Sequence, residues 1–374
     1  MEVWLGYGEA PACGGARRSP RPAAAAEPAA AAAWEDLLAA ALAVPVGSAS
    51  LATRLAGVRS VCVLVPDETR KDVAARLVPL LRPHLGDRAV SVGVAAGKHP
   101  VRPPPPGCWR HDAHDPGLVE VGMTAAGTRV AYPRAVLDAD LRIVVGEIRP
   151  HYFAGYAGGY KGVFPGAAGA AGIWHNHALK AAPGAWLGEV DANPCRADLE
   201  EAGALAGPAF LINVIRGSHG APVALVAGDP VAAHRAGVAR ARPVFEVPGP
   251  GRRFSHVVVS DGAPVAANLY QACKLLAPAA ALLAPGGTVV LAAACFEGIG
   301  PVRTINEAIY GLGLAPRLSP GHRVVLVSDQ APAAVAPTFA AWAPSVEAAL
   351  DGVAGREVAV LPRAGDLVVA QPAG

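Results

Sequence analysis

Val61-Cys62-Val63-Leu64-Val65-Pro66-Asp67-Glu68-Thr69-Arg70 is a short, β-branched apolar run that breaks abruptly into a polar cluster. Such a run predicts a buried strand. Val73, Leu77, Leu80 and Leu81 follow at helical spacing, so the segment reads strand, polar turn, helix. The unit recurs. Val90 to Val94 is a second strand candidate, ending at Gly97-Lys98-His99, and Leu141 to Val145 is a third, ending just before Gly146 to Gly166. Alternating strand and helix predict an α/β fold with mainly parallel sheets. Each polar cluster then sits at the carboxyl end of a strand, where open α/β sheets place their ligands.

At 374 residues the chain is too long for one compact core, so two domains are expected. The cluster Pro248-Gly249-Pro250-Gly251 reads as a linker. It predicts an N-terminal domain over 1–248 and a smaller α/β domain over 252–374. The latter has strands at Phe254 to Ser260, Thr288 to Ala293 and Arg323 to Ser328, and a largely helical stretch from Pro264 to Leu283. The active site is expected in the cleft between the two domains. Arg102 to Gly107 holds four consecutive prolines and predicts an extended surface loop.

Hydrophobic residues make up 52% and charged residues 17%, which favours globular cores over disorder. With 32 Lys and Arg against 30 Asp and Glu, the net charge of +2 gives no footprint for nucleic acid or an anionic membrane. The apolar stretch Ala23 to Val46 is interrupted by Glu27, Pro28, Glu35 and Asp36, so no run approaches the ~20 residues needed to span a bilayer. Glu2 stands where a secretory signal would be basic. Six scattered cysteines without a C-x-x-C pair suggest thiols in a reducing compartment. Together these features predict a cytoplasmic protein.

Four clusters have the residue types for chemistry. Pro150 to Lys161 places glycines at 155, 158 and 159 just before Lys161. Glycine permits close backbone approach to a ligand, although a Gly-rich turn with a solvated lysine has the same composition. Trp174-His175-Asn176-His177 offers imidazole, which suits nickel or zinc. Residues at i and i+2 diverge on either a strand or a helix, so one histidine, not both, is a candidate ligand. Asp67 to Arg70 is either an arginine fork for a carboxylate or phosphate or a capped helix start with a surface arginine. Tyr270 and Lys274 share one face of a predicted helix at i and i+4, for a common ligand or for solvent.

Taken together and in register, these clusters resemble the lactate racemase family. Asp67-Glu68-Thr69-Arg70 is similar to its D-x-T-R element, Gly97-Lys98-His99 to its G-x-H element, and Pro150 to Lys161 to its P-H-F-F-A-G-F-S-G-G-R-K signature. Asn176-His177 resembles the following N-H, and Leu269-Tyr270-Gln271 with Lys274 the L-Y-Q-x-x-K element. The resemblance implies a racemase or epimerase of a small 2-hydroxy acid, acting by reversible hydride transfer to a nickel-pincer nucleotide. Lys161 would attach the nucleotide, with Asp67, Thr69, Gly158 and Gly159 helping to hold it, and His177 would ligate nickel. His99 and His151 would be the two acid/bases. Arg70, Lys274, Gln271, Tyr270 and Trp342 would bind the substrate. Cofactor-biosynthesis enzymes would be partners for loading.

The chain departs from the family pattern at three places. Tyr160 stands where the signature has arginine, Lys71 where D-x-T-R is followed by proline, and the proline loop where a helix is expected after His99. His111 or His114 is the alternative second acid/base. Extra basic residues at Lys71, Lys98 and Arg102 make a malate epimerase one alternative, beside aryl-lactate and aldonic-acid epimerases. A non-catalytic nickel-nucleotide carrier or hydroxy-acid sensor would need Lys161 and His177 but not two acid/bases.

Overall fold

The computed structural model describes residues 33–68, 72–99, 103–217, 220–300, 302, 318, 321–352 and 357–370, and the backbone alone of 3–8, 10–14 and 71. The chain divides into two compact units, Glu27–Val244 and Phe245–Gly374, the latter joined by Met1–Ala26. The first 26 residues therefore group with the C-terminal part of the chain, whereas the sequence suggested a continuous 1–248 domain. Strand pairing is the reason: Val3–Gly8 runs parallel to Phe254–Gly262. Pro248 to Gly251 lies inside that same unit, just after Glu246–Val247, which pairs with Val368–Val369.

The Glu27–Val244 unit is built on a six-stranded sheet in the order Pro222–Gly228, Ala209–Arg216, Leu141–Ile148, Ser60–Pro66, Ala89–Ala95, Cys108–Arg110. All neighbours are parallel except the first pair. Numbered along the chain, this is the doubly wound order in which the winding direction reverses between the first and fourth strands. Those strands are Ser60–Pro66 and Leu141–Ile148, the two that precede Asp67 and the Pro150 to Lys161 segment.

Period-two alternation explains why both faces are covered. Val61, Val63 and Val65 join Leu141, Ile143 and Val145 in one core with Val73, Leu77, Leu81 and Leu85 of the Lys71–Leu85 helix. Cys62, Leu64 and Val144 point the other way, onto Tyr160, Phe164 and Leu199. Pro103 to Gly107 is exposed and without regular structure, as four prolines require.

The Phe245–Gly374 unit is a second, mainly parallel α/β unit. Its sheet runs Ala341–Ala343, Arg323–Val327, Leu283–Ala292, Phe254–Gly262, Val3–Gly8, Ala10–Gly14, with Ala359–Leu361 also paired to Phe254–Gly262. The stretch expected to be largely helical is so, as a chain of four short α and 3₁₀ pieces, Val265–Ala267, Leu269–Ala272, Cys273–Leu275 and Leu276–Ala280. Asn268 is the physical cause of one break: its extended backbone caps the Leu269–Ala272 turn through the Gln271 N–H. Among the described residues no helix is long and apolar enough to cross a membrane, and no disulfide forms.

Burial leaves a pH signature in the first unit. His111 is 2% exposed, and burial pulls its pKa from 6.5 to about 4. The unfolded chain then binds a proton that the folded one refuses, so stability falls as pH drops from about 6.5 toward about 4. The expected loss is about 3 kcal/mol from this one group. His111→Phe should flatten a melting-temperature profile between those pH values; an unchanged slope would contradict it.

Candidate active site

The carboxyl ends of Ser60–Pro66 and Leu141–Ile148 flank the point where the sheet reverses its winding, and the chain puts its polar residues there. Asp67 follows the first strand and is only 5% exposed. His99 follows the neighbouring Ala89–Ala95 strand, and its Nδ1 hydrogen-bonds Asp67 Oδ2. A carboxylate accepts, so Nδ1 carries the proton and Nε2 is left as a base. Asp67 therefore orients a histidine, a placement that its sequence context did not reveal. His111 is buried, and His114 sits exposed in a turn with its N–H on Asp112 Oδ1. Thr69 and Arg70 lie outside the described residues. Beside Asp67 an apolar cavity of about 660 Å³ is walled by Val78, Val92, Cys108 and the prolines Pro103 to Pro105.

The Pro150 to Lys161 segment is a tight fold of two-residue strands, Pro150–His151 and Gly155–Tyr156, followed by a single 3₁₀ turn, Gly159–Gly162, that carries Lys161. His151 Nδ1 accepts the Ala154 N–H at 3.2 Å, so in the neutral ring the proton lies on Nε2. Its ring meets Phe153 edge-on at 4.6 Å, and Phe153 meets His177 at 4.9 Å. One phenyl ring thus spaces His151 from His177. Gly158 and Gly159 have φ of 87° and 65°, a region in which side chains are strained. A Cβ on Gly158 would fall 2.4 Å from Asn213 Oδ1, and one on Gly159 3.0 Å from the His234 ring. Protein packing alone already demands both glycines.

What holds this loop is a set of buried polar side chains. Arg196 has no exposed surface, and its guanidinium donates to Ala154 O, Tyr156 O and Gly158 O. Burial lowers its pKa to about 10, with Glu200 opposing the shift, so it remains charged at neutral pH. Asn213 Oδ1 accepts the Gly159 N–H at 2.8 Å, and His234 Nε2 donates to Ala157 O at 3.0 Å. Tyr160 is turned into the core with its ring against Gly203, and burial raises its pKa. Its position contributes no cation.

His175 and His177 separate as their spacing requires. Both lie in the last turn of the Ala170–Ala178 helix. Thr128 donates its hydroxyl to Asp198 Oδ2 and so accepts from His175 Nδ1 at 2.8 Å. Asn176 ties the helix to the same carboxylate at 2.8 Å. His177 faces inward. Its Nδ1 is buried without a hydrogen-bond partner, and its pKa is pushed well below 6.5, first by burial and then by the charges of Lys98, Lys161 and Lys180. A neutral imidazole with an unmet buried nitrogen is a ready ligand for a borderline metal. Among the described residues no three His, Cys, Asp or Glu gather as a metal cage.

In the Phe245–Gly374 unit, Lys274 Nζ donates to Gln271 Oε1, and Tyr270 is half-buried with its pKa raised by burial. Trp342 lies on the Ala341–Ala343 strand with its indole Nε1 buried and unpaired.

Sequence reasoning passed over Arg196, Asp198, Asn213 and His234. Asn193-Pro194 does mark a helix start, since Asn193 caps the Arg196 N–H and proline tolerates the first turn. Nothing local distinguishes a buried arginine from a surface one.

Comparison with known proteins adds to this geometry. Residues 106–188 match the lactate racemase N-terminal domain. The chain is 27% identical over 288 residues to the lactate racemase of Thermoanaerobacterium thermosaccharolyticum, covering 71% of this chain and 67% of that one. To the lactate racemase of Lactiplantibacillus plantarum it is 28% identical over 283 residues, covering 68% of this chain and 65% of that one. The aligned segments thus span about two thirds of these relatives. The structure of the lactate racemase apoprotein from Thermoanaerobacterium thermosaccharolyticum superposes over 99% of this chain and 100% of that one, with a TM-score of 0.85 and 22% identity. A Thermotoga maritima protein superposes over 86% of this chain and 96% of that one, with a TM-score of 0.65 and 16% identity.

Proposed function

On the strength of these likenesses, we propose that the chain is a member of the lactate racemase family, an isomerase that inverts C2 of lactate or a close 2-hydroxy acid with the help of a nickel-pincer nucleotide. The observation that carries this reading is His177, whose neutral ring and unmet buried Nδ1 face inward among lysine charges. His177 would supply the chain's nitrogen to the nickel of such a cofactor, which would not require a three-residue protein cage. Lys161 would attach the nucleotide, with Asp67, Thr69, Gly158 and Gly159 around it and His177 on nickel. When bound, that cofactor supplies a reversible hydride acceptor for C2.

The chain's own residues manage protons, charge and position. His99, with its Nδ1–H held by Asp67, presents Nε2 to take the hydroxyl proton, and the carboxylate steadies the imidazolium that forms. His151, with Nδ1 held by Ala154, presents an Nε2–H to the substrate oxygen. The two rings are thus set in opposite tautomers, as an acid and a base on two faces of one carbon require. Such an oriented pair favours an enzyme over a cofactor carrier. Arg70, Tyr270, Gln271, Lys274 and Trp342 are assigned to the substrate on sequence resemblance alone. The reading places the protein in the cytoplasm, where the cofactor-biosynthesis enzymes would load it. A loaded preparation should convert either enantiomer of lactate, or of one acid in a 2-hydroxy-acid panel, to a near-equal mixture by chiral chromatography. Loaded protein that inverts none of them would overturn the proposal.

A further inference from the structure

Ala89–Ala95 and Cys108–Arg110 are neighbouring parallel strands, so a crossover must join them. Such a connection is normally a helix that covers the sheet face beside it. Here its described residues form no helix, and Pro103 to Pro105 line the space instead. What remains is the apolar cavity of about 660 Å³ beside Asp67, a volume within the roughly 300–1,000 Å³ of ordinary ligand pockets. Val92 and Val94 line it from the sheet, in register with Cys108 and Arg110. Ala75 and Val78 line it from the Lys71–Leu85 helix.

Arg110 is out of place on that apolar face. A Cβ on Gly93 would fall 2.2 Å from the Trp109 ring, so Trp109 covers one side of the sheet and alternation turns Cys108 and Arg110 to the other. The Arg110 side chain is only 4% exposed. Its Nη2 donates to Glu68 Oε2, while Nε and Nη1 are buried without a hydrogen-bond partner. Buried donors in that state cost free energy until an acceptor meets them. Glu68 already matches the guanidinium charge, so a neutral oxygen suits the two remaining donors better than a second carboxylate. The lining thus describes an apolar group tipped by a hydroxyl or carbonyl oxygen.

Asp67 is a wall of this cavity and also holds Nδ1 of His99, the base of the proposed function. Resting on that function, we propose that the cavity receives the side chain of the substrate, a bulky, oxygen-tipped 2-hydroxy acid of the 4-hydroxyphenyllactate kind, with Arg110 donating to its outer oxygen. A lactate methyl group would leave the cavity empty.

Calorimetry on the full-length apoprotein tests this without turnover. 4-Hydroxyphenyllactate and phenyllactate should each bind at least about tenfold tighter than lactate (about 1.4 kcal/mol), the hydroxylated acid the tighter of the two. p-Cresol, which is that side chain alone, should bind and be displaced by 4-hydroxyphenyllactate. Ala75→Trp fills the cavity from an exposed helix position. It should erase p-cresol binding and bring the aryl acids down to lactate. Val78→Phe, three residues on along the same helix face, serves if Ala75→Trp melts early. Arg110→Met should erase the advantage of the hydroxylated acid over phenyllactate. The pocket is overturned by absent p-cresol binding, by equal binding of all three acids, or by an aryl preference that survives a filled cavity at unchanged melting temperature. A hydroxyl advantage intact in Arg110→Met would overturn the role of Arg110. p-Cresol that binds without being displaced would mark a separate site and overturn the substrate assignment. Failure of the parent function reads differently: a cavity-dependent aryl preference in a protein that never forms a Lys161 adduct would keep the pocket and remove the racemase.

Discussion

Replacing either His99 or His151 with alanine is expected to slow interconversion of the substrate enantiomers by ~10²–10⁴-fold, the usual worth of a positioned acid or base. Nickel content and attachment at Lys161 should be unchanged, because neither histidine is needed to hold the cofactor. Asp67→Asn should fall between these variants and the wild type. Asparagine keeps the size but lacks the charge that steadies a protonated His99, whose Nδ1 meets Asp67 Oδ2. On His151 the Nδ1 position is taken by the Ala154 N–H. The loss in Asp67→Asn should therefore fall on the step that uses His99 and spare the step that uses His151. Chiral assays started from each enantiomer measure both. Full activity in His99→Ala would return the second acid/base to His114, since His111 is buried and held neutral by that burial.

The second large effect is structural. Arg196→Met should destabilise the Glu27–Val244 unit by about 3–5 kcal/mol, the cost of removing one partner from a buried charged network. For a unit of this size that is on the order of 10 °C in melting temperature. The guanidinium donates to three carbonyls of the loop between His151 and Lys161, with Glu200 3.7 Å away. Methionine fills the volume and leaves those carbonyls and that carboxylate without it. Arg196→Lys should rescue little, because one ammonium cannot replace a planar fork spanning several oxygens. A melting temperature within 2–3 °C of wild type for the methionine variant, roughly 1 kcal/mol by the same scale, would show that the loop is held by Asn213 and His234 instead.

Much of the fold was legible because it rests on short-range pattern. The β-branched runs at 61–65, 90–94 and 141–145 lie inside observed strands. Buried parallel strands must be apolar on both faces, so they are conspicuous in any chain. The motifs at Asp67, His99 and Pro150 to Lys161 were legible for the same topological reason: each follows a strand. The reversal of winding that brings Asp67 and His151 near one crevice was not written locally, since it depends on which strands pair. The same holds for Val3–Gly8 joining Phe254–Gly262, a contact between residues some 250 positions apart. Arg196 and Asp198 escaped because a charged residue on a helix reads as surface unless its partners are known. Gly158 and Gly159 suggested ligand approach, yet Asn213 and His234 crowd them closely enough to require glycine. A small residue records that something is near, not what it is.

The most direct test of the account is intact-protein mass with nickel analysis, on protein co-expressed with the pincer-nucleotide biosynthetic enzymes. The account predicts a covalent adduct that disappears in Lys161→Ala. It also predicts about one nickel per chain, one ion for one neutral imidazole ligand, lost in His177→Ala while the adduct persists. A folded wild-type protein with neither adduct nor nickel, or an adduct indifferent to Lys161, would contradict it.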